Sequence, residues 1–203
     1  MSSRDKILAI IRNNQPDQQE LPSLERPVTG VSTDVDVAKQ FVEVLEAIGG
    51  RAYIVSGWER IATILKEEYT GDKRIVSGCA GLGFMTEVIG DPHDLENVEL
   101  AVLEAHFGVA ENGACWITED RMIERALPFI AQNLALVIHK KDIVPVMHEA
   151  YQRIAGAEYG FGTFIAGPSK TADIEQSLVL GAHGPRSLTV FLIDEGMSDA
   201  GFY

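Results

Sequence analysis

The chain has 203 residues, of which 46% are hydrophobic and 23% charged, the composition of a soluble globular protein with one substantial core. Its 17 Lys and Arg residues against 30 Asp and Glu residues give a net charge of −13, which disfavours nucleic-acid binding, since a phosphate backbone requires a clustered basic surface. No apolar run reaches the roughly 20 residues of a membrane span and no signal peptide is recognisable, so we expect a cytoplasmic protein whose two cysteines are reduced.

The first predicted element is a short amphipathic helix at residues 3 to 13, where Ile7, Leu8 and Ile11 share one face. A polar stretch with three prolines follows and predicts an extended linker. We therefore divide the chain into an N-terminal helix with a Pro-rich linker, residues 1–30, and an α/β domain, residues 31–203. This division allows the first helix to pack away from the domain, against a neighbour.

Strands and helices alternate regularly from about residue 34 onward. A helix capped by Thr33 or Asp34 comes first, and a later helix is expected to begin with Asp142 as its cap. Buried strands are predicted at the stretches AYIVS, RIVSG, VELAVLEA, ACWIT, LALVIH, GTFIAG and SLTVFLID, in chain order. This alternation predicts the α/β class, with an open, mostly parallel sheet flanked by helices.

Ligands of open α/β sheets bind where loops follow the carboxyl ends of strands. The loop SGCAGLGF is one such loop, but its glycine spacing differs from the dinucleotide-binding fingerprint, and we interpret it as a tight turn. No His or Lys lies nearby in the sequence to lower the pKa of the Cys79 thiol. A packed, unreactive cysteine is therefore expected.

A second loop, within AHFGVAENGACWIT, places Glu111 directly before a strong strand. In a crevice, burial would raise the pKa of this carboxyl and suit it to acid–base or nucleophilic chemistry. A turn carboxylate that accepts hydrogen bonds from backbone amides is the alternative, and the sequence leaves both open. His106 has no third ligand at metal-site spacing and is interpreted as structural.

A third region is AGPSKTADIEQSLVLGAHGP, residues 166–185, which predicts a turn and then a helix capped by Ser169 or Thr171. The amino end of that helix and Lys170 would favour an anion, but Asp173 and Glu175 in its first turn would compete with one. The acids would instead bind hydroxyls, a cation or a basic side chain. His183, in a Gly-rich turn, is either free to act in a crevice or simply exposed.

The run GPSKTADIEQSLVLGAHGPRSLTVFLID resembles the C-terminal signature of the lactate utilization protein C family, also called the LUD domain, and GVAENGA is similar to the family's central loop. The resemblance covers about residues 34 to 194. It implies a fold similar to the sugar-isomerase and CoA-transferase-like superfamily. It also implies a role in oxidising L-lactate to pyruvate with two partner proteins, one of which carries iron–sulfur clusters. No cofactor is expected in this chain itself.

On this resemblance we expect Glu111 and the 167–175 loop to face one crevice, with Glu111 and His183 as catalytic residues and no metal. The family's central loop more often reads A-E-[TS]-G-T, so Asn112 and Ala114 replace two hydroxyl donors here and change the hydrogen bonds offered to a ligand. The expected ligand-binding residues are Asn112, Gly113, Gly167, Pro168, Ser169, Lys170, Thr171, Asp173, Glu175 and Gly184.

Three functions are compatible with the sequence. The leading hypothesis is a component of a lactate-oxidising system that acts with iron–sulfur partners and supplies a crevice for a small organic acid or an assembly surface. The alternatives are an independent acyl-transfer or ligase-type enzyme with Glu111 as nucleophile, and a non-catalytic sensor or scaffold whose first helix docks to a partner. The sequence leaves open the substrate, the oligomeric state (a homo-oligomer included) and whether Glu111, Lys170 and His183 converge.

Overall fold

The computed structural model describes residues 2–17, 19, 36–83, 90–172 and 178–197. Most of the predicted linker, the expected caps Thr33 and Asp34, and the expected ligand-binding residues Asp173 and Glu175 lie outside these ranges. Within the described ranges, no helix combines the length and the apolar character that crossing a membrane requires.

The helices of the described residues agree in part with those predicted. The predicted N-terminal helix is confirmed and carries a capping box made by Ser2 and Asp5. The next helix is capped by Asp36, whose carboxylate accepts from two backbone amides, so the predicted cap at Thr33 or Asp34 was wrong. The helices are α1 (Ser3–Asn13), α2 (Val37–Ala47), α3 (Trp58–Glu68), α4 (Leu127–Ile130) and α5 (Met147–Ile154).

The strands form two sheets and a separate hairpin. Each predicted strand is present, and four short strands, β4, β7, β9 and β10 below, were not predicted. The strands are β1 (Arg51–Val55), β2 (Ile75–Ser77), β3 (Leu100–Glu104), β4 (Phe107–Val109), β5 (Ala114–Thr118), β6 (Asn133–His139), β7 (Ile143–Val144), β8 (Gly162–Ile165), β9 (Lys170–Ala172), β10 (Leu178–Leu180) and β11 (Ser187–Ile193).

The central sheet confirms the predicted parallel α/β architecture. Its order is β1-β11-β6-β3-β2, and every neighbouring pair is parallel. Both faces of the sheet are covered, which explains why β6 and β11 read as continuous apolar runs. On β6, Leu134 and Leu136 pack with α2, while Ala135 and Val137 pack with α3 on the opposite face.

A second sheet, of order β7-β4-β5-β8, lies against the α2 side of the central sheet. It is mixed, since β4 pairs parallel with β7 but antiparallel with β5, and β5 is antiparallel to β8. The predicted strands ACWIT and GTFIAG belong to this sheet rather than to the parallel one. Helix α5 covers its outer face through a cluster made by Phe107, Val109, Trp116 and Ala150.

The helix predicted from about Thr171 was wrong. Residues 170–172 instead form β9, which pairs antiparallel with β10. Thr171 lies opposite Val179, and both are β-branched residues that favour strands. Thr171 therefore lies in a strand rather than at the start of a helix, and the described residues 166–172 and 178–185 contain no helix terminus that could bind an anion.

Helix α5 begins later than predicted. The predicted cap, Asp142, is followed by the short strand β7 and by Pro145, which favours extended backbone in the residue before it. The helix starts only at Met147. Asp142 is bonded instead to Arg153, near the end of the same helix, with an N–O distance of 3.0 Å.

Candidate functional site

A small polar cavity lies outside the carboxyl ends of β3 and β6, the usual position of a ligand in an open α/β sheet. Its volume is about 140 Å³, below the range of about 300–1,000 Å³ usual for drug-sized ligands. Only a molecule of a few heavy atoms would fill it. The polar and aromatic side chains around it are Trp58, Glu104, His106, Arg121, His139 and Asp142.

A larger cavity of about 480 Å³ lies on the outer face of the second sheet. Phe107, Trp116 and Tyr159 give it aromatic walls, and Arg153 and Ile154 of α5 close another side. His106 lines this cavity as well as the small one. We call the two spaces the small cavity and the large cavity; His106 forms a wall between them.

A chain of hydrogen bonds fixes the ring of His106. The Thr118 hydroxyl lies between the ring and Asp120: it donates to Asp120 Oδ1 and contacts His106 Nε2. Since the hydroxyl proton is used on Asp120, the hydroxyl oxygen accepts from Nε2–H of the ring. Neutral His106 therefore keeps its lone pair on Nδ1, which makes no hydrogen bond to any described residue.

The surroundings of His106 keep its ring neutral. Burial lowers the pKa of the imidazole below its ordinary value of 6.5, the positive charge of Arg121 lowers it further, and Asp120 acts in the opposite direction. The hydrogen bond from Thr118 lowers the pKa of Asp120, so this residue is a carboxylate at neutral pH. A neutral imidazole with a free Nδ1 is a proton acceptor.

One arginine borders each cavity, and the two differ in how many of their hydrogen-bond donors are already used. Arg121, in the wall of the small cavity, donates to the Ala105 carbonyl at 3.3 Å and forms a loose ion pair with Glu104 at 3.6 Å, and these contacts leave most of its five N–H donors available. Arg153, in the wall of the large cavity, is bonded to Asp142 and lies 5.2 Å from the centre of the Phe107 ring. Only Arg121 offers a guanidinium to a bound carboxylate.

A third opening lies between the ends of β6 and β11 and the start of α2. Lys140 and Asp194 form an ion pair across it at 2.9 Å, and each lies at the end of one of these strands. His139 lies between this opening and the small cavity, with Nδ1 3.4 Å from Glu195 Oε1. Lys140 and Asp194 therefore neutralise each other at the mouth of this opening.

Glu111 has a structural position. Its carboxylate accepts a hydrogen bond of 2.7 Å from the amide of Met147, the first residue of α5, and its side chain is exposed. Glu111 thus stabilises the amino end of a helix. This hydrogen bond is the one expected of a turn carboxylate, and Glu111 lines none of the three cavities; its catalytic role stays a prediction.

The two loops of the family signature do lie together, at one end of the second sheet. Cys115 pairs with Ile165, so the loop before β5 and the loop after β8 are neighbours. Both pack on α2: a Cβ on Gly113 would lie 3.0 Å from the Leu45 backbone, and one on Gly167 would lie 3.1 Å from the Ile48 carbonyl oxygen. Asn112 shapes its own turn by accepting from the Ala114 amide at 3.1 Å.

Other predicted site residues lie near the end of α2 and in the loops next to it. Lys170 Nζ donates to the Ile48 carbonyl at the carboxyl end of α2, a position where a cation stabilises a helix. The Ser169 amide donates to the Pro185 carbonyl at 2.9 Å, and a Cβ on Gly184 would lie 3.1 Å from Ser169 Cβ. Pro168 is buried and His183 is exposed. Those predicted site residues that the structure describes therefore lie near one another, and none of them lines the three cavities.

Sequence reasoning missed the residues that line the cavities. His106 was interpreted as structural because the sequence shows no third ligand at metal-site spacing; its partners Thr118 and Asp120 lie at and after the end of β5, a strand that was predicted for the parallel sheet. Arg121 lies in a three-ten turn, residues 119–121, that carries no motif. The one available signal was a histidine directly after a buried strand that ends at the carboxyl edge of the parallel sheet.

Both cysteines are buried, and burial raises the pKa of each thiol to about 12. Cys79 follows β2 at one edge of the central sheet, whereas Cys115 lies within β5 of the second sheet. Among the described residues, His, Cys, Asp and Glu side chains form no group of three or more that could hold a metal ion. The expectation of an unreactive Cys79 agrees with its burial.

Comparisons with known proteins identify relatives in several bacteria. The chain is 28% identical to "Lactate utilization protein C" of Oceanobacillus iheyensis over 121 residues, or 57% of this chain and 50% of that protein. It is 34% identical to "Lactate utilization protein C" of Bacillus pumilus over 112 residues, which are 49% of this chain and 47% of that protein. The chain therefore spans about half the length of these relatives. It is also 22% identical to the protein YkgG of Escherichia coli over 81% of this chain and 72% of that protein.

A solved structure has a similar fold. It is a DUF162 family protein from Deinococcus radiodurans, with a TM-score of 0.60 and 20% sequence identity over 78% of this chain and 97% of that one. The LUD domain family model matches residues 92–193, half of the chain, and includes the signature loops and most of the residues that line the small and large cavities. The chain is a member of the LUD domain family.

Proposed function

We propose that the chain is a component of a lactate-oxidising system and that it binds a small hydroxy acid in the small cavity. The observation that carries this proposal is the position of His106, a neutral imidazole with a free Nδ1, in the same cavity wall as Arg121. Relatives named lactate utilization protein C support the choice of lactate among small hydroxy acids.

The two side chains match the two functional groups of such an acid. The guanidinium of Arg121 would bind the carboxylate, for which its forked donors are suited. Nδ1 of His106 would accept the hydroxyl proton, which must leave when the alcohol carbon becomes a carbonyl. An acid of three carbons has six heavy atoms, which is consistent with a cavity of about 140 Å³.

The oxidation also releases two electrons, and we assign their acceptor to a separate iron–sulfur protein. Neither thiol of this chain is suited to ligate a cluster, because both are buried and protonated at neutral pH. In this proposal His106 takes the hydroxyl proton, the electron pair of the broken C–H bond of the alcohol carbon goes to the partner, and the second proton, from that carbon, is released to solvent.

A genetic experiment tests the proposal. Deleting the gene should abolish growth on L-lactate and leave growth on pyruvate intact, and the unchanged chain should restore growth on lactate. His106→Gln and Arg121→Gln should fail to restore it. Arg125→Gln is the matched control, since Arg125 belongs to the same segment as Arg121 but pairs with Glu119 and lines neither cavity. Normal growth of the deletion strain on lactate would contradict the proposal.

A further inference from the structure

We infer that the large cavity is a binding site for an uncharged, planar ligand of two or three fused rings. This inference goes beyond the proposed function, because it concerns a different cavity and a different ligand. It rests on the volume, the walls and the charge of that cavity.

The volume favours a ligand larger than a small acid. At about 480 Å³ the large cavity lies within the range of about 300–1,000 Å³ that holds drug-sized ligands. It is more than three times the volume of the small cavity. A three-carbon acid would leave most of it to water, whereas a fused-ring system would fill it.

The walls are suited to a flat ring. Trp116 is held edge-on to Tyr159, with the ring centres 5.5 Å apart. The centre of its ring also lies 4.6 Å from the centre of the Phe164 ring. Gly162 makes room for the indole, since a Cβ there would lie 2.6 Å from it. Arg153 adds a flat guanidinium whose position is fixed by Asp142. These groups are already ordered, so a ring would bind without reorganising them.

The charge of the lining selects against anions. Three carboxylates line the cavity, those of Glu119, Asp120 and Glu158. Glu119 is paired with Arg125, so Asp120 and Glu158 carry the negative charge of the lining that no described arginine neutralises. His106 adds no charge at neutral pH, because burial lowers its pKa. The guanidinium of Arg153 is already bonded to Asp142, so a phosphorylated or carboxylated ligand would meet carboxylates and no unpaired arginine among the residues that line this cavity. A neutral ring with N–H or O–H donors would instead find carboxylate acceptors around it.

Tryptophan fluorescence tests the inference directly, because the chain has only two tryptophans, Trp58 and Trp116. In Trp58→Phe, the emission comes from Trp116 alone. Riboflavin is the probe, since it is neutral, planar and tricyclic, and flavin mononucleotide is its matched control, with the same ring and an added phosphate. We expect riboflavin to quench Trp116 with saturation, and flavin mononucleotide to bind about tenfold more weakly.

Two tyrosines provide a second matched pair. Tyr159 lines the large cavity and is 44% exposed, whereas Tyr151 of α5 is 47% exposed and does not line it. In the Trp58→Phe background, Tyr159→Ala should weaken riboflavin binding about tenfold, as expected for losing one stacking partner, and Tyr151→Ala should leave it unchanged. Both side chains are exposed enough for the variants to fold.

Three results would overturn the inference. These are unchanged Trp116 emission up to the solubility limit of riboflavin, binding that Tyr159→Ala does not weaken, and tighter binding of flavin mononucleotide than of riboflavin. The titration contains no lactate. Its outcome is therefore independent of the proposed function, and the growth experiment described above is independent of riboflavin.

Discussion

Glu111 and Met147 are joined by a hydrogen bond in which the Glu111 carboxylate accepts from the backbone amide of Met147 at 2.7 Å. Met147 begins α5, and Ile154, which lines the large cavity, ends it. A helix of eight residues is about 12 Å long. The central loop of the family signature thus anchors one end of α5, and the other end of the helix forms a wall of the large cavity.

The first prediction concerns the hydrogen bond from the Met147 amide to the Glu111 carboxylate. Glu111→Ala should lower the free energy of unfolding by about 0.5–2 kcal/mol, the usual cost of losing an acceptor at a helix amino end. Glu111→Gln keeps an acceptor and should cost less. Urea-induced unfolding measures both. Glu67→Ala, at an exposed position of α3, is the control and should change stability by less than about 0.5 kcal/mol. Unchanged stability in Glu111→Ala, with activity lost, would restore Glu111 as a catalytic candidate.

The second prediction compares two glycines in left-handed backbone. Gly113 has φ +66°, and a Cβ there would lie 3.0 Å from the Leu45 backbone; Gly156 has φ +78° and open space around it. Gly156→Ala should cost only the backbone strain, about 1–2 kcal/mol. Gly113→Ala adds the overlap with α2 and should cost about 2–5 kcal/mol. Equal losses in thermal or urea unfolding would mean that the central loop does not pack on α2.

The third prediction is a pH dependence of activity. The proposed role of His106 needs its neutral form, so lactate-dependent activity should fall on the acid side with a midpoint below 6.5. Asp120→Asn removes a charge that raises the pKa of His106, and the midpoint should move to still lower pH. Rates measured across the acid range check this. A midpoint that moves upward in Asp120→Asn would contradict the assignment.

The fourth prediction is the matching pH dependence of stability. Between pH 6.5 and the lowered pKa of His106, the unfolded chain binds more protons at this residue than the folded chain does. The free energy of unfolding should therefore decrease as the pH falls through that window. His106→Gln should flatten this part of the curve, whereas His183→Gln, at an exposed position, should leave it unchanged.

The fifth prediction concerns the thiols. Cys79 and Cys115 are buried, with the pKa of each raised to about 12, so neither should react with iodoacetamide in the folded chain at mildly alkaline pH. Both should react in urea. Peptide mass spectrometry distinguishes the two sites. Rapid labelling of Cys79 in the folded chain would mean that the turn after β2 opens readily.

The central sheet could be predicted from the sequence because its strands are apolar on both faces and carry a strong signal, LALVIH above all. The second sheet could not. Its strands β4 and β7 have three and two residues, too short to show a period, and the pairing of ACWIT with GTFIAG joins segments about fifty residues apart. The hairpin β9–β10 was missed because acidic residues after a Ser-Lys-Thr run are typical of a helix start.

The candidate site was predictable only in part, for a related reason. The signature loops were found by their Gly-rich sequence, and they do lie together, but they pack on α2 rather than line a described cavity. His106 meets Thr118 only because β4 and β5 pair antiparallel, which places Phe107 opposite Trp116. That contact depends on strand register, which no local motif encodes.

The most direct test is L-lactate-dependent reduction of an electron-accepting dye by the chain purified with the proteins that accompany it. We expect this preparation to reduce the dye, His106→Gln to abolish the reduction, and His183→Gln to retain it with the same partners bound. Equal rates for the unchanged chain and His106→Gln, or no lactate-dependent reduction with partners present, would contradict the claim that His106 and the small cavity act on a hydroxy acid.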